Sequence, residues 1–134
     1  MSKKKKSVSD SRLHKLWRAA VLAYWRHRDP ISGIGGDENL ECHHIVPRKK
    51  YVLKWDWRNG VPLTHESHSW IHEHPTASYN RLLELGFDWD HLEEMERWKK
   101  KDFLFMHEWS DDEFRLYLRE ELKRVIYKYD GGDI

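Results

Sequence analysis

Three stretches decide how this chain is read: Glu41-Cys42-His43-His44-Ile45-Val46-Pro47-Arg48, then Arg58-Asn59-Gly60-Val61-Pro62-Leu63, then Thr64-His65-Glu66-Ser67-His68-Ser69-Trp70-Ile71-His72. Leu40 to Val46 reads as a short strand ended by Pro47, and Val61 to Leu63 as a second. Thr64 to His72 carries a helical pattern up to the break at Pro75. Between the strands runs a long aromatic and basic connection with Lys49, Lys50, Tyr51, Lys54, Trp55, Trp57 and Arg58. Strand, connection, strand and helix make a compact unit in which a hairpin faces a helix.

Six of the ten histidines fall in this unit: His43, His44, His65, His68, His72 and His74. His68 and His72 are four apart, which stacks both imidazoles on one helical face and suits a shared metal ion. His43 and His44 are neighbours on a strand, where successive side chains point to opposite faces, so one can join the metal while the other stays free. Cys42 faces away from His43 and reads as a small core residue. His65 and His74 read as surface residues beside the site, Trp55 and Trp57 as core.

Outside the unit the pattern is helical. In residues 10–28, Leu13, Leu16, Trp17, Ala20, Val21, Tyr24 and Trp25 line one face and basic residues the other, an amphipathic helix ended by Asp29-Pro30. Residues 77–85 and 90–101 read as two helices around Gly86. Ser110 with Glu113 forms a capping box for a last helix to about Tyr129, and Gly131 to Ile134 reads as a frayed end. The sum is an α+β fold in one domain, residues 10–134, preceded by a basic disordered tail, residues 1–9.

Composition sets the outer bounds. The chain has 134 residues, 39% hydrophobic and 35% charged. No run approaches the roughly 18 to 20 apolar residues that cross a bilayer. Aromatic side chains at 13% argue against global disorder. A single cysteine and an N-terminus, MSKKKKSVSD, without an apolar leader point to a reducing, cytoplasmic setting. The net charge of +1 hides an uneven spread: residues 1–28 carry +8, residues 29–75 carry −2 and residues 76–134 carry −5. Lys3 to Lys6 are the kind of arm that makes non-specific phosphate contacts.

With the histidine pair, the Arg58-Asn59-Gly60 segment and His68-x-x-x-His72 in order, residues 29–75 resemble an HNH nuclease domain, whose signature falls here on His44, Asn59 and His68. The resemblance implies a ββα-metal (His-Me finger) core, flanked here by an N-terminal helix and a helical extension over 76–130. It implies an endonuclease that hydrolyses DNA phosphodiester bonds with one divalent cation. By that resemblance His44 is the general base, and His43, His68 and His72 hold the metal. Asn59 pins the connection between the strands, and Glu41 partners His43. Arg48, Lys49, Lys50 and Arg58 lie on that connection, placed for DNA contact. Three nitrogen ligands favour Zn²⁺, Ni²⁺ or Co²⁺ in binding strength, while Mg²⁺ or Mn²⁺ is the expected ion for activity. A homodimer or a larger nuclease complex is compatible with the small size.

One departure stands out. Many HNH domains bind a structural zinc through four cysteines, and the matching positions here are Asp29, Ser32, Thr64 and Ser67. No structural zinc is therefore expected, and the flanking helices with their tryptophans are the expected source of stability. The rival reading is a zinc-stabilised nucleic-acid-binding module without catalysis, in which His44 has no task.

Overall fold

The structure is a computed structural model that describes residues 7–131. Lys3 to Lys6, and the end of the chain beyond Gly131, lie outside these residues. The elements are α1 (Asp10–Tyr24), β1 (Glu41–His44), β2 (Gly60–Leu63), α2 (His65–Glu73), α3 (Pro75–Glu84), α4 (Trp89–Glu96), α5 (Lys100–His107) and α6 (Asp111–Asp130), an α+β arrangement. The two strands pair antiparallel with Glu41 opposite Leu63, Cys42 opposite Pro62, His43 opposite Val61 and His44 opposite Gly60. No helix among the described residues is long and apolar enough to cross a membrane.

Two apolar clusters hold these elements together. In the larger, Leu13, Leu16, Trp17, Ala20 and Val21 of α1 meet Phe114, Leu118, Leu122, Val125 and Ile126 of α6. Both sets repeat every three or four residues, so each helix buries one stripe against the other. In the smaller, Val46, Leu53, Val61 and Leu63 of the hairpin and its connection rest on Leu82, Phe87 and Leu92. The capping box of α6 closes with both bonds at 3.1 Å, Ser110 N–H to the Glu113 carboxylate and Glu113 N–H to Ser110 Oγ.

The boundaries depart from the sequence reading where tertiary contacts claim the backbone. The first helix stops at Tyr24 rather than running to 28, because Arg26 and His27 adopt left-handed φ values of 59° and 58°. The turn is held by His27, whose Nδ1 lies 2.8 Å from Asp37 Oδ1 and whose Nε2 lies 2.9 Å from Asp130 Oδ1. The first strand spans Glu41–His44 rather than Leu40 to Val46, since the backbone N–H and C=O of Val46 both bond the Asn59 side chain instead of a ladder partner. Residues 90–101 are not one helix: α4 ends at Glu96, the chain extends at Lys99, and α5 begins at Lys100. Pro75 opens α3 instead of merely ending α2, the first-turn position where its missing N–H costs nothing. Part of the expected tail, at Val8 and Ser9, is held against the helices. Val8 is buried, and its carbonyl accepts from Arg115 Nη1 at 2.9 Å, while Ser9 Oγ caps α1 by accepting from Arg12 N–H at 3.1 Å.

The four positions singled out for lacking zinc cysteines form a polar knot in which Asp29, Thr64 and Ser67 are buried and Ser32 is exposed. Asp29 is 0% exposed. Its Oδ1 accepts from the N–H groups of Ile31 (2.7 Å) and Ser32 (3.1 Å), and its Oδ2 from Thr64 N–H (2.9 Å) and Thr64 Oγ1 (3.0 Å). Thr64 Oγ1 in turn accepts from Ser67 N–H at 3.2 Å, capping α2. The knot ties the turn after α1 to the start of α2, so the flanking helices are not the sole support of the unit. Burial opposes ionisation of Asp29, but the bonds from Ser67, Thr64, Ser32 and Ile31 outweigh it and hold the carboxyl below its usual range.

Asp29→Asn should therefore lower unfolding stability at pH 7 by about 2–3 kcal/mol, since an amide NH₂ would face N–H donors. Because the folded-state pKa is depressed, the charge contributes above the unfolded value of about 3.9 and is lost as pH falls through the folded value. Urea titrations should show the gap between the two proteins narrowing from pH 5 toward pH 2.

Candidate active site

The site is built around a buried amide. Asn59 is 0% exposed and uses both ends of its side chain. Its Oδ1 accepts from Val46 N–H at 2.7 Å, and its Nδ2 donates to the carbonyls of Val46 (2.9 Å) and Leu53 (3.1 Å). The two ends of the connection are thereby clamped together just behind His44.

Opposite His44 in the hairpin stands Gly60, and only a glycine fits there. A Cβ at that position would lie 2.5 Å from Val21 Cγ2 and 2.7 Å from Trp17 Cζ2. The missing side chain lets α1 lie directly on the hairpin, where the Trp17 indole stacks on the His44 imidazole with centroids 4.0 Å apart and planes 4° apart. Trp17 is itself fixed by its Nε1–H, which donates to the Asp56 carbonyl at 2.9 Å.

His44 Nε2 lies 2.7 Å from the Lys54 carbonyl. A carbonyl only accepts, so Nε2 carries the hydrogen and Nδ1 keeps its lone pair. Burial pushes the imidazole down to about 4, aided by Arg48, His14 and Lys54 and opposed by the Lys54 carbonyl. A ring in that state is neutral near pH 7, with one nitrogen able to take a proton.

His43 points the other way, as the alternation of a strand requires. Its ring stacks on that of His68, centroids 3.8 Å apart and planes 23° apart. His68 and His72, one turn apart on α2, bring their Nε2 atoms to 2.9 Å. Donor nitrogens about 2.0–2.1 Å from one cation sit roughly 3 Å apart, so this pair has the bite of a chelate. Glu41 is exposed, with a carboxylate oxygen 3.6 Å from His43 Nε2. A cavity of about 230 Å³ is lined by His43, His44, His68, His72, Ile71 and Trp89, among others.

The three imidazoles expected to share a cation lie next to one another without converging on one point. Lone pairs of an imidazole lie in the ring plane, so two nearly parallel stacked rings aim theirs side by side rather than at a common centre. His43 is adjacent to the pair but does not complete it, and among the described residues no group of three or more His, Cys, Asp or Glu side chains is arranged to hold a metal ion. The donor chemistry suits a divalent ion, and the geometry supplies two of its three nitrogens.

The basic residues divide. Lys49 and Lys50 are exposed on the connection, and Arg48 is exposed with its Nη2 3.2 Å from His14 Nδ1. Arg58 is turned elsewhere: its Nε lies 3.3 Å from Asp56 Oδ1, and its guanidinium covers the Trp57 ring. It lines a separate cavity of about 200 Å³ together with His91, whose Nε2 is paired to Asp56 at 2.5 Å. Cys42 is packed against the larger cluster, with burial pushing its thiol up to about 12.

Sequence reasoning missed Trp17, the Lys54 carbonyl and His14. A backbone acceptor leaves no residue signature. His14 does stand one helical turn before Trp17, but nothing local tells which long-range neighbour that face will meet. No protein-family model, no curated protein and no solved structure matches the chain.

Gly60→Ala should cost about 1–3 kcal/mol through overpacking against α1. Thermal denaturation would register the loss, and the ring-current shift of the His44 carbon-bound protons should shrink as the indole is pushed off. Asn59→Ala, which orphans three buried backbone groups, should lower the unfolding free energy by at least about 2 kcal/mol in urea titrations.

Proposed function

We propose that the protein is a metal-dependent DNA endonuclease of the HNH type, hydrolysing phosphodiester bonds with His44 as general base and His43, His68 and His72 as ligands of one divalent cation. One observation carries this reading: four imidazoles meet at one cavity, and three lie together while the fourth is anchored apart by a carbonyl and an indole. A metal site needs the first three. The fourth, outside that group, is the one free to serve catalysis.

In this reading Nδ1 of His44 takes the proton of a water as that water attacks phosphorus. The Lys54 carbonyl holds Nε2–H at 2.7 Å, so the positive charge arriving on the ring meets a dipole already in place. The stack on Trp17 fixes the plane in which the Nδ1 lone pair points. His68 and His72 offer two nitrogens at chelate spacing, and His43 joins them by leaving its stack on His68. A bound cation there would offset charge on the phosphate and favour departure of the leaving oxygen. Arg48, Lys49 and Lys50, exposed on the connection, meet neighbouring phosphates of the duplex.

The test is relaxation of supercoiled plasmid by purified protein in Mg²⁺, Mn²⁺, Ni²⁺ or Zn²⁺. Wild type should yield open circles in at least one metal, and His44→Ala should slow that step by at least about 100-fold. Calorimetric titration should show metal binding retained in His44→Ala and weakened in His68→Ala and His72→Ala. Metal binding without relaxation under any condition would overturn the nuclease reading in favour of a zinc-stabilised binding module.

A further inference from the structure

Beside His44 lies a pair of side chains of which the proposed chemistry gives Arg48 a phosphate to meet and gives His14 no task. Arg48 follows the strand by four residues and reaches back to α1, where its Nη2 donates to His14 Nδ1 at 3.2 Å. Guanidinium has no acceptor, so His14 Nδ1 must be the acceptor and His14 Nε2 carries the hydrogen. His14 is braced on two sides, stacked on Trp17 with centroids 5.9 Å apart and edge-on to Trp55 at 5.7 Å. The same two tryptophans contact His44, at 4.0 Å and 6.3 Å between centroids. The two imidazoles thus share one aromatic frame, and both Arg48 and His14 contribute to the depressed basicity of His44.

No acid satisfies this pair among the described residues. Asp10, the carboxylate of α1, is taken by Arg115 at 2.7 Å and Lys54 at 3.8 Å. Arg48 is exposed, and the bond to His14 uses one of its five N–H groups, leaving an open edge of the fork. A guanidinium edge held in place by a braced imidazole, with no competing carboxylate, suits a tetrahedral oxyanion.

We propose that His14 and Arg48 form a binding site for one phosphate of the DNA backbone beside His44, with His14 acting as the positioning residue that holds the Arg48 guanidinium in its binding orientation. The proposal rests on the endonuclease reading for the identity of the phosphate as DNA. Arginine ordinarily loses much rotamer freedom when it engages a ligand, and the bond to His14 removes part of that loss beforehand.

The experiment measures binding and cutting separately. A fluorescein-labelled DNA duplex is titrated with the full chain in EDTA, followed by anisotropy, for wild type, His14→Ala, His14→Asn, Arg48→Ala and the double variant His14→Ala/Arg48→Ala. Single-turnover plasmid cleavage and thermal denaturation are run on the same proteins. Arg48→Ala should weaken binding about 10-fold and lower the slope of log affinity against log salt by about one. His14→Ala should weaken binding about 3- to 10-fold with an unchanged melting temperature. The double variant should match Arg48→Ala within about twofold, because His14 acts only through Arg48. His14→Asn should restore wild-type affinity, since its Oδ1 accepts where Nδ1 does. Wild-type affinity in His14→Ala, effects that multiply in the double variant, or failure of asparagine to rescue would each overturn the proposal. If the binding pattern holds but wild type never relaxes plasmid, the phosphate site stands and the nuclease reading falls. If wild type cuts and all variants bind alike, the reverse is true.

Discussion

Everything at the site depends on how closely α1 approaches the hairpin. The Trp17 indole lies flat on the His44 imidazole because Gly60 removes the one side chain that would hold the helix away. That single contact couples the larger apolar cluster, which positions α1 against α6, to the orientation of a ring on β1. The plane of the imidazole is thus set by the core, while its tilt within that plane is set by the Lys54 carbonyl. A ring braced on its face and its edge needs little reorganisation when it takes up a proton, which is where electrostatic preorganisation acts.

The clamp formed by Asn59 extends the same logic to the chain between the strands. Residues 46–59 make a long excursion, and loops of that length ordinarily sample many shapes. Here the amide joins Val46 to Leu53 and Asn59 itself, so the excursion returns to its own start and presents the Lys54 carbonyl at a fixed place. Two of these bonds take Val46 out of the sheet, which is why the strand is shorter than its apolar pattern suggested.

What could be read from the sequence was what depends on periodicity and near neighbours. The stripe of α1, the hairpin with its two short strands, the pairing of His68 with His72 and the Ser110–Glu113 box all follow from spacing within a few residues. What could not be read depends on contacts across the chain. The end of α1 is set by His27 reaching Asp37 and Asp130, and no local signal marks Arg26 and His27 as left-handed. The break between α4 and α5 falls among charged residues without a glycine or proline to announce it. At the site, spacing placed His43 beside the α2 pair but could not say that its ring would stack rather than converge. Ring orientation is a property of packing, and adjacency is all that sequence conveys.

The knot around Asp29 has a consequence for how the molecule meets its surroundings. Where a cluster of thiolates round a cation fastens two segments, the fastening fails whenever the cation is withdrawn or the sulfurs are oxidised. Here a carboxylate, two hydroxyls and a few amides do the fastening, and neither event touches them. The start of α2 is therefore held independently of ion supply, so the cation binding proposed for its two histidines would draw on a scaffold that is already assembled.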